Sequence, residues 1–463
     1  MNAQVKRLLP VTFSIAIPIA LQSLVGFAVN MMDTVMLGQL GDVMLSASSL
    51  ANQVFFIVSL AIGGIASGAN VLVAQAWGKH DIQKIHRVLA YTYRMALGLV
   101  LVVSALALIF PRPIMSIFTT DAEVITQGTV YLKIIAWSYL FYGLTAVTTG
   151  VLRAVHTVKI AMFGSALAMV VNVFLNWVLI FGKLGAPKMG IAGAALATLI
   201  ARICEFLLIL WFVYRKEDKI GIRIRKLIPT DRSLLKPYLA TSMPVIINEV
   251  FWALGESVLA MILGRMGTEV VAANSICSVM NQLANVLVQG ATAATCVIIG
   301  NTIGAGKLDE LPVQKRYFQI FAVTMGLLAG LLIFVTRGPI IGFYNVTETT
   351  RIYASQLILI TAIIQPFQAF QITNMMGVLR GGGDVKFAMM NDLIFLWCVT
   401  LPLGFLTGLV LHCPVWLVFC CLRIEKIGKG ITSELRLRKG KWVHNMVADS
   451  SVSDAPSGEA AAS

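Results

Sequence analysis

From residue 11 to residue 435 the chain is a succession of apolar runs broken by short polar or glycine-rich stretches. The runs lie at 11–37, 45–76, 88–110, 128–151, 160–182 and 190–213, then at 238–264, 270–300, 317–337, 352–378, 386–411 and 414–435. A helix needs about 20 predominantly apolar residues to cross the hydrocarbon of a bilayer, so each run predicts one span. Runs such as Met95–Phe110 and Ala192–Val213 are continuously apolar, unlike the short alternating segments of a membrane β-barrel. The pattern predicts an all-α polytopic membrane protein with twelve transmembrane helices. The last run is the least regular, because Arg423, Glu425, Lys426, Lys429 and Glu434 interrupt it.

The two halves of this pattern repeat. Gly150-Val-Leu-Arg153-x4-Val158-Lys159-x-Ala161-Met162 returns as Gly377-Val-Leu-Arg380-x4-Val385-Lys386-x-Ala388-Met389, an offset of 227 residues. At 226, Pro18 falls on Pro244, Gly38-x2-Gly41 on Gly264-x2-Gly267, and Ala47 on Ala273. Each repeat holds six spans, an even number, so both halves enter the membrane from the same side. Two six-helix lobes related by a pseudo-twofold axis along the membrane normal enclose a cleft, and such parallel repeats are a transporter architecture. We expect an N-lobe over 1–213, a basic cytoplasmic linker over 214–237, a C-lobe over 238–447 and a disordered tail over 448–463.

Composition agrees with the run pattern. Of 463 residues, 58% are hydrophobic and 13% charged, against about 45–50% and 25% in soluble domains. A soluble enzyme, a disordered chain and a single-anchor protein are excluded. The net charge of +14 does not point to nucleic acid, because the basic residues are spread over short loops. Lys79, Lys84, Arg87, Arg153, Lys159, Lys307, Lys315, Arg316, Arg380, Lys386 and the 436–441 cluster all fall on one side of the predicted topology. Positive charge stays cytoplasmic, which places both termini inside. The first apolar run continues past Val29 and so exceeds the 7–15 residues of a signal-peptide core. A bacterial plasma membrane is the expected location, although Asn345-Val-Thr347 is a glycosylation sequon in an outer loop. The seven cysteines lack CxxC spacing and read as free thiols.

No glycine-rich phosphate loop, metal-ligand cluster or nucleophile motif appears, so we expect no enzyme activity and no cofactor. Energy must then come from an ion gradient or from the substrate's own gradient. The informative residues are acids inside apolar runs, which cost about 2.5–3.5 kcal/mol at bilayer depth and mark pathways or ion sites. Asp33 has no basic residue within two turns, so it suits exchange of H⁺ or binding of Na⁺ with carbonyl and amide neighbours. Glu249 has Phe251 and Trp252 close by, a setting for an amphipathic cation through charge and cation–π attraction. Glu256 follows two turns later on the same face and matches Asn30 by offset. Asp392 lies a turn or two from an inner loop and reads as a gate contact or a coupling site. We expect ion coupling at Asp33 and Glu249, and a substrate cavity formed by Glu249, Trp252, Glu256, Asn30 and Asp392. Arg202 and Glu205, three apart, predict a structural ion pair on one helix face. Asn172 and Asn176 read as helix-packing amides, and Asp384 as a turn or helix cap.

With these residues placed, the chain resembles the multidrug and toxic compound extrusion (MATE) family. The resemblance rests on Pro18, Asp33-Thr34-x4-Gly38-x2-Gly41, Gly68-x6-Gln75-x2-Gly78, Pro244-x4-Glu249, Gly377-Val-Leu-Arg380-Gly381-x-Gly383-Asp384 and Leu401-Pro402. It runs from about residue 8 to 440. It implies a V-shaped antiporter that exports organic cations or other amphipathic toxic compounds, as a monomer, against inward H⁺ or Na⁺. The family's first-span acid matches Asp33. Some members carry the seventh-span acid about one turn after Glu249, where this chain has Trp252. A flippase for a lipid-linked precursor, from the same superfamily, is the alternative. It would be expected to line its cavity with cations, whereas the acids here dominate.

Overall fold

The computed structural model describes residues 3–223, 235–342, 344 and 346–445. Part of the basic linker (224–234), the sequon residue Asn345 and the tail from 446 onward lie outside the described residues. The helices of the first half are α1 (Ala3–Gly38), α2 (Asp42–Gly78), α3 (Ile82–Ile109), α4 (Pro111–Phe118), α5 (Ala122–Ile135), α6 (Ser138–Ala154), α7 (Lys159–Phe181) and α8 (Ile191–Arg215). The second half comprises α9 (Leu235–Met266), α10 (Thr268–Gly304), α11 (Leu311–Gly342), α12 (Glu348–Ile372), α13 (Val385–Ile394), α14 (Leu401–Phe405), α15 (Val415–Arg423) and α16 (Glu425–Arg438).

Local chemistry explains the ends and breaks. Asp81 caps α3 by accepting from the Lys84 amide at 2.9 Å, and Asp121 caps α5 by accepting from the amides of Glu123 and Val124. These bonds satisfy donors that a helix start leaves free. Gly182 closes α7 in the left-handed conformation, with φ 69°, which glycine adopts without a Cβ clash. In the second half, α12 runs on through a π-helical stretch to Leu379, and two more such stretches, Phe395–Thr400 and Leu406–Val410, flank α14. Pro402 sits at the start of α14 and lacks the N–H that a regular helix would use there.

Among the described residues ten helical segments are long and apolar enough to cross a membrane, and α5 with α6, bent by 48°, supplies an eleventh. The twelfth differs from the single run expected at 414–435. It divides at Ile424 into α15 and α16, and the charges that break its apolar pattern turn inward: Glu425 and Lys429 are buried in ion pairs. Large apolar side chains such as Val102, Ile109, Leu331 and Val335 are left exposed on the outside, as a lipid-facing surface requires.

The pseudo-twofold is visible in atomic contacts. Each lobe's first helix packs on the other lobe's second, α1 on α10 and α9 on α2. A Cβ on Gly290 would strike the Ala16 carbonyl and lie against Ala20, and one on Gly64 would strike Ile246. Gly64 and Gly290 are repeat mates at 226, as are Ala20 and Ile246, so the two contacts are one contact used twice. Nearer one face α2 and α10 meet on the axis itself. Asn70 approaches its own mate Cys296, with Nδ2 4.0 Å from Sγ, and Ala74 lies against its mate Gly300. A Cβ on Gly78 would collide with the Asn301 carbonyl, and one on Gly304 with the Gln75 carbonyl.

This face is sealed by further contacts between halves. The Asn301 amide donates to His156 Nε2 at 2.5 Å, and the Gln75 amide donates to the His444 carbonyl at 3.0 Å. Burial, and then the Lys219 ammonium, hold His156 below its ordinary range, so its ring is neutral and free to accept. Trp442 lies over Gly382, and the His444 amide donates to the Gly382 carbonyl at 2.7 Å.

Because glycine alone permits the α2–α10 approach, Gly304→Val should part the helices at this face. Cys296, 8% exposed, is the reporter. In a variant whose other six cysteines are serine, we expect a water-soluble maleimide to label Cys296 at least several-fold faster once Gly304 is valine. Unchanged labelling would show that the glycine contact does not hold the seal.

Candidate functional site

Asp33 lies on α1 where α1, α7 and α8 come together. Asn176 Nδ2 donates to Asp33 Oδ1 at 2.5 Å and to Asn172 Oδ1 at 3.1 Å. Asn172 Nδ2 in turn donates to Thr198 Oγ1 at 3.1 Å, and Thr198 donates to the Ala194 carbonyl at 3.1 Å. The carboxylate thus ends a relay of neutral polar groups. Asn172 and Asn176 are spaced i, i+4 on one face of α7, which is why both reach it. They are not merely packing amides. Asn176 Oδ1 is buried with no hydrogen-bond donor among the described residues.

Asp33 lines a cavity of 1160 Å³ together with Asn30, Thr34, Asn52, Gln53, Phe55, Tyr131, Thr198 and Arg202. The same cavity reaches Phe118, Thr119 and Asp121, in the turn between α4 and α5. That turn lies at the end of α2 opposite the glycine contacts, so the cavity extends toward that face. Arg202 is the one basic residue in its lining. Glu205 holds it at 2.8 Å, with Ser165 donating to the other carboxylate oxygen at 3.0 Å. The guanidinium also sits 5.3 Å from the Tyr142 ring centre and 6.0 Å from that of Phe55. With its charge compensated and its plane against aromatic rings, Arg202 stiffens the wall.

The expected substrate cavity of Glu249, Trp252, Glu256, Asn30 and Asp392 is not gathered. Only Asn30 lines the Asp33 cavity, one turn before the acid on the same helix. The other four lie on α9 and α13, where each carboxylate has its own setting. Glu249 faces Arg380 at 3.7 Å, and Asp392 receives the Lys429 ammonium at 2.6 Å. Lys429 also reaches Glu425 at 2.9 Å, Lys426 reaches Glu425 at 2.7 Å, and Thr400 donates to Glu425 at 3.0 Å. Glu256 is exposed and has no ion pair among the described residues, Trp252 is half-buried, and Phe251 meets Trp397 edge to face. Asp384 makes no cap bond with its side chain. It accepts from Arg436 at 2.7 Å instead, because α16 carries that guanidinium alongside.

Sequence reasoning therefore missed Thr198 and Tyr131 beside Asp33, and the Lys429–Glu425 pair beside Asp392. The i, i+4 spacing of Glu425 and Lys429 is a legible signal of pairing. Nothing in the sequence shows that Asp392 is the third member.

The MatE family model matches residues 18–178 and 244–406, two blocks that fall on the two repeats. The probable multidrug resistance protein NorM of Thermotoga maritima is 26% identical over 393 residues, 84% of each chain. The multidrug resistance protein MdtK of Yersinia enterocolitica is 25% identical over 401 residues, 86% of this chain and 87% of its own. Among solved structures, the outward-facing conformation of a multidrug resistance MATE family transporter of the MOP superfamily superposes with a TM-score of 0.85 at 18% identity, covering 93% of this chain and 95% of that one. A Vibrio cholerae MATE transporter, VcmN, superposes with a TM-score of 0.87 at 18% identity, over 96% and 99% of the two chains.

The relay gives a stability test. Asn176→Val removes the donor to a buried carboxylate, at a cost of about 1–3 kcal/mol. Adding Asp33→Asn removes the charge and should recover part of that loss. We expect the melting temperature of the detergent-solubilised protein to fall for Asn176→Val and to rise again in the double variant. Additive losses would mean that the two side chains do not interact.

Proposed function

The chain belongs to the MatE family, and on that premise we propose that it exports amphipathic, mostly cationic drugs or toxic compounds in exchange for H⁺ or Na⁺ by alternating access. The observation that carries this reading is Asp33: an acid on a neutral relay, lining a cavity that extends toward the face opposite the glycine contacts. With Arg202, the cation in the same cavity wall, itself held by Glu205, a carboxylate whose hydrogen-bond partners are neutral amides keeps a negative charge to offer. A proton, a Na⁺ ion or a cationic substrate can each take it, and no two can take it together. Competition of that kind couples the movement of one to the movement of the other.

In our reading the basic, glycine-sealed face is cytoplasmic, both termini lie there, and the cavity faces outward across the plasma membrane. The lobes span 1–213 and 238–447, joined by the 214–237 linker, and one chain supplies the whole path. The cavity offers the ring of Phe55, the amides of Asn30, Asn52 and Gln53, and the phenol of Tyr131, an apolar and polar mix that suits an amphipathic guest. Ion arrival at Asp33 from outside releases substrate. Ion departure on the cytoplasmic side, after the seal has opened, restores the charge that draws the next cation. Asn176 Oδ1, unpartnered beside the carboxylate, is the second oxygen that a proton or Na⁺ there would use. Glu249, paired with Arg380, serves the C-lobe side of the path rather than taking the exchanged ion.

Flipping of a lipid-linked precursor is the second reading, and Arg202 in the cavity wall is what favours it. The Glu205 carboxylate at 2.8 Å leaves little of that positive charge for a pyrophosphate, so export of cations fits the site better.

Purified protein in proteoliposomes, given a fluorescent organic cation and either a pH gradient or a Na⁺ gradient, tests the proposal. We expect one of the two gradients to drive transport and Asp33→Asn to cut the gradient-driven rate at least tenfold. Wild-type rates in Asp33→Asn would sink the mechanism. Silence of the wild type under both gradients would turn attention to lipid-linked substrates.

A further inference from the structure

Asp33 and the C-lobe pair Asp392 and Glu425 are partnered in opposite ways, although the N-lobe acid Glu205 also has a cation, Arg202 at 2.8 Å. Asp33 is met by amides. In the C-lobe, several acids have a cation within 4 Å: Glu249 has Arg380, Asp392 has Lys429, Glu425 has both Lys426 and Lys429, and Glu434 has Lys315 and Arg438. Glu256 in mid-span, and Glu269, Asp309 and Glu310 at span ends, have no such partner among the described residues. The deepest of the cations is Lys429. Its side chain is 3% exposed, and its ammonium lies 2.6 Å from Asp392 Oδ1 and 2.9 Å from Glu425 Oε2. Two carboxylates on different helices, α13 and α16, with a single cation held between them, is the arrangement that a bound monovalent ion would need. Here the chain fills that position with its own side chain.

We propose that the Lys429 ammonium is a built-in counter-ion that permanently occupies the cation position between Asp392 and Glu425, so that the C-lobe exchanges no ion and each transport cycle carries a single coupling ion, at Asp33. The inference rests on the antiport reading for its consequence, but its site can be tested without transport. An ammonium tethered to α16 cannot leave as the lobes move, and Asp392 and Glu425 stay neutralised through the cycle. Lys426 completes the balance, giving two carboxylates and two ammonium groups in one cluster. Thr400, donating to Glu425 Oε2 at 3.0 Å, fixes the second carboxylate in place. Glu249 and Arg380, across on α9 and at the end of α12, are the nearest other charged pair, and they too balance each other.

The geometry also says what removal would create. Lys429→Met keeps the length and apolar stem of the side chain but deletes its charge, leaving Asp392 and Glu425 with Lys426 alone. The vacated position between their oxygens would then take a free monovalent cation. Lys429→Arg keeps the charge and should leave the position filled.

Equilibrium binding of radioactive Na⁺ to the purified full-length protein, with proton uptake followed in parallel by a pH-sensitive dye, reads the site directly. It is best done in an Asp33→Asn background, where the N-lobe site is silent. We expect no binding or proton exchange in Asp33→Asn alone or with Lys429→Arg, and about one Na⁺ or one proton per protein with Lys429→Met. A stoichiometric ion at the C-lobe of Asp33→Asn with Lys429 intact would overturn the proposal, as would a folded, monodisperse Lys429→Met variant that gains nothing. Asp392→Asn provides the check that does not depend on the folding of Lys429→Met. Its ratio of ions to substrate in proteoliposomes should equal that of the wild type, and a ratio that falls would identify Asp392 as an exchanging site. Failure of transport with the binding pattern intact would count against the antiport reading alone.

Discussion

A polar group at the depth of the hydrocarbon has no water to turn to, so its partner must come from the protein. That constraint organises this molecule. It forces the twelve crossings to be helices, it turns the charges of α16 inward although they break the apolar pattern, and it makes every buried acid a statement about its neighbours. Asp33 is satisfied by the amide of Asn176 and, behind it, by Asn172 and Thr198. Asp392 and Glu425 are satisfied by Lys429. Both solutions remove the cost of burial, but they leave different residual charges. Amides stabilise an anion and leave it an anion, whereas an ammonium cancels it. The first kind of site can still trade one cation for another, and the second cannot.

The two halves share their joint and differ in their chemistry, and the reason is the same physics. The joint is made of backbone approach: Gly64 to Ile246 and Gly290 to Ala16, Gly78 to the Asn301 carbonyl and Gly304 to that of Gln75. A contact across a twofold axis must be self-complementary, so the contacting positions recur at the same offset and the glycines with them, while the residue opposite each glycine differs. Any Cβ at these glycines breaks the match, which keeps the pattern strict. The interiors of the lobes face no such demand. Position 33 in the first half corresponds to Leu259 in the second, and the relay around Asp33 has no counterpart there.

This division also explains what could be read from the chain. The spans and the repeat were legible because they depend on length, hydropathy and fixed spacing, all of which are properties of the sequence itself. Asp33 stood out because an acid in an apolar run is rare. Pairing across helices was not legible. Asn172 and Asn176 sit about 140 residues from Asp33 in the chain, and an amide in a span is as good a packing residue as a ligand. Lys429 looked like a flaw in the last span until α13 was seen to bring Asp392 beside it. Where Glu249, Glu256 and Asp392 stand relative to Asn30 was not legible for a related reason. Sequence distance cannot say whether an acid faces a cavity or a cation, and here Glu249 and Asp392 face cations.

The joint and the site are linked through one helix. α1 carries Asp33 near one end and the joint residues Ala16 and Ala20 near its middle, about 20–25 Å away at 1.5 Å per residue. Pro18 lies between those two joint residues and, lacking an N–H, leaves α1 one hydrogen bond short at that point. On the antiport reading proposed above, a helix weakened where it grips the other lobe, and tethered at Asp33, would transmit a change at Asp33 to the junction without any intermediate element. On that reading, a cation that alters the hold of Asp33 on Asn176 would shift the segment of α1 beyond Pro18 against α7. The Ala20–Gly290 contact would then be loaded unevenly with respect to its mate between Ile246 and Gly64, on α9 and α2. A symmetric joint operated from one side only is the arrangement expected where a single charge drives the cycle.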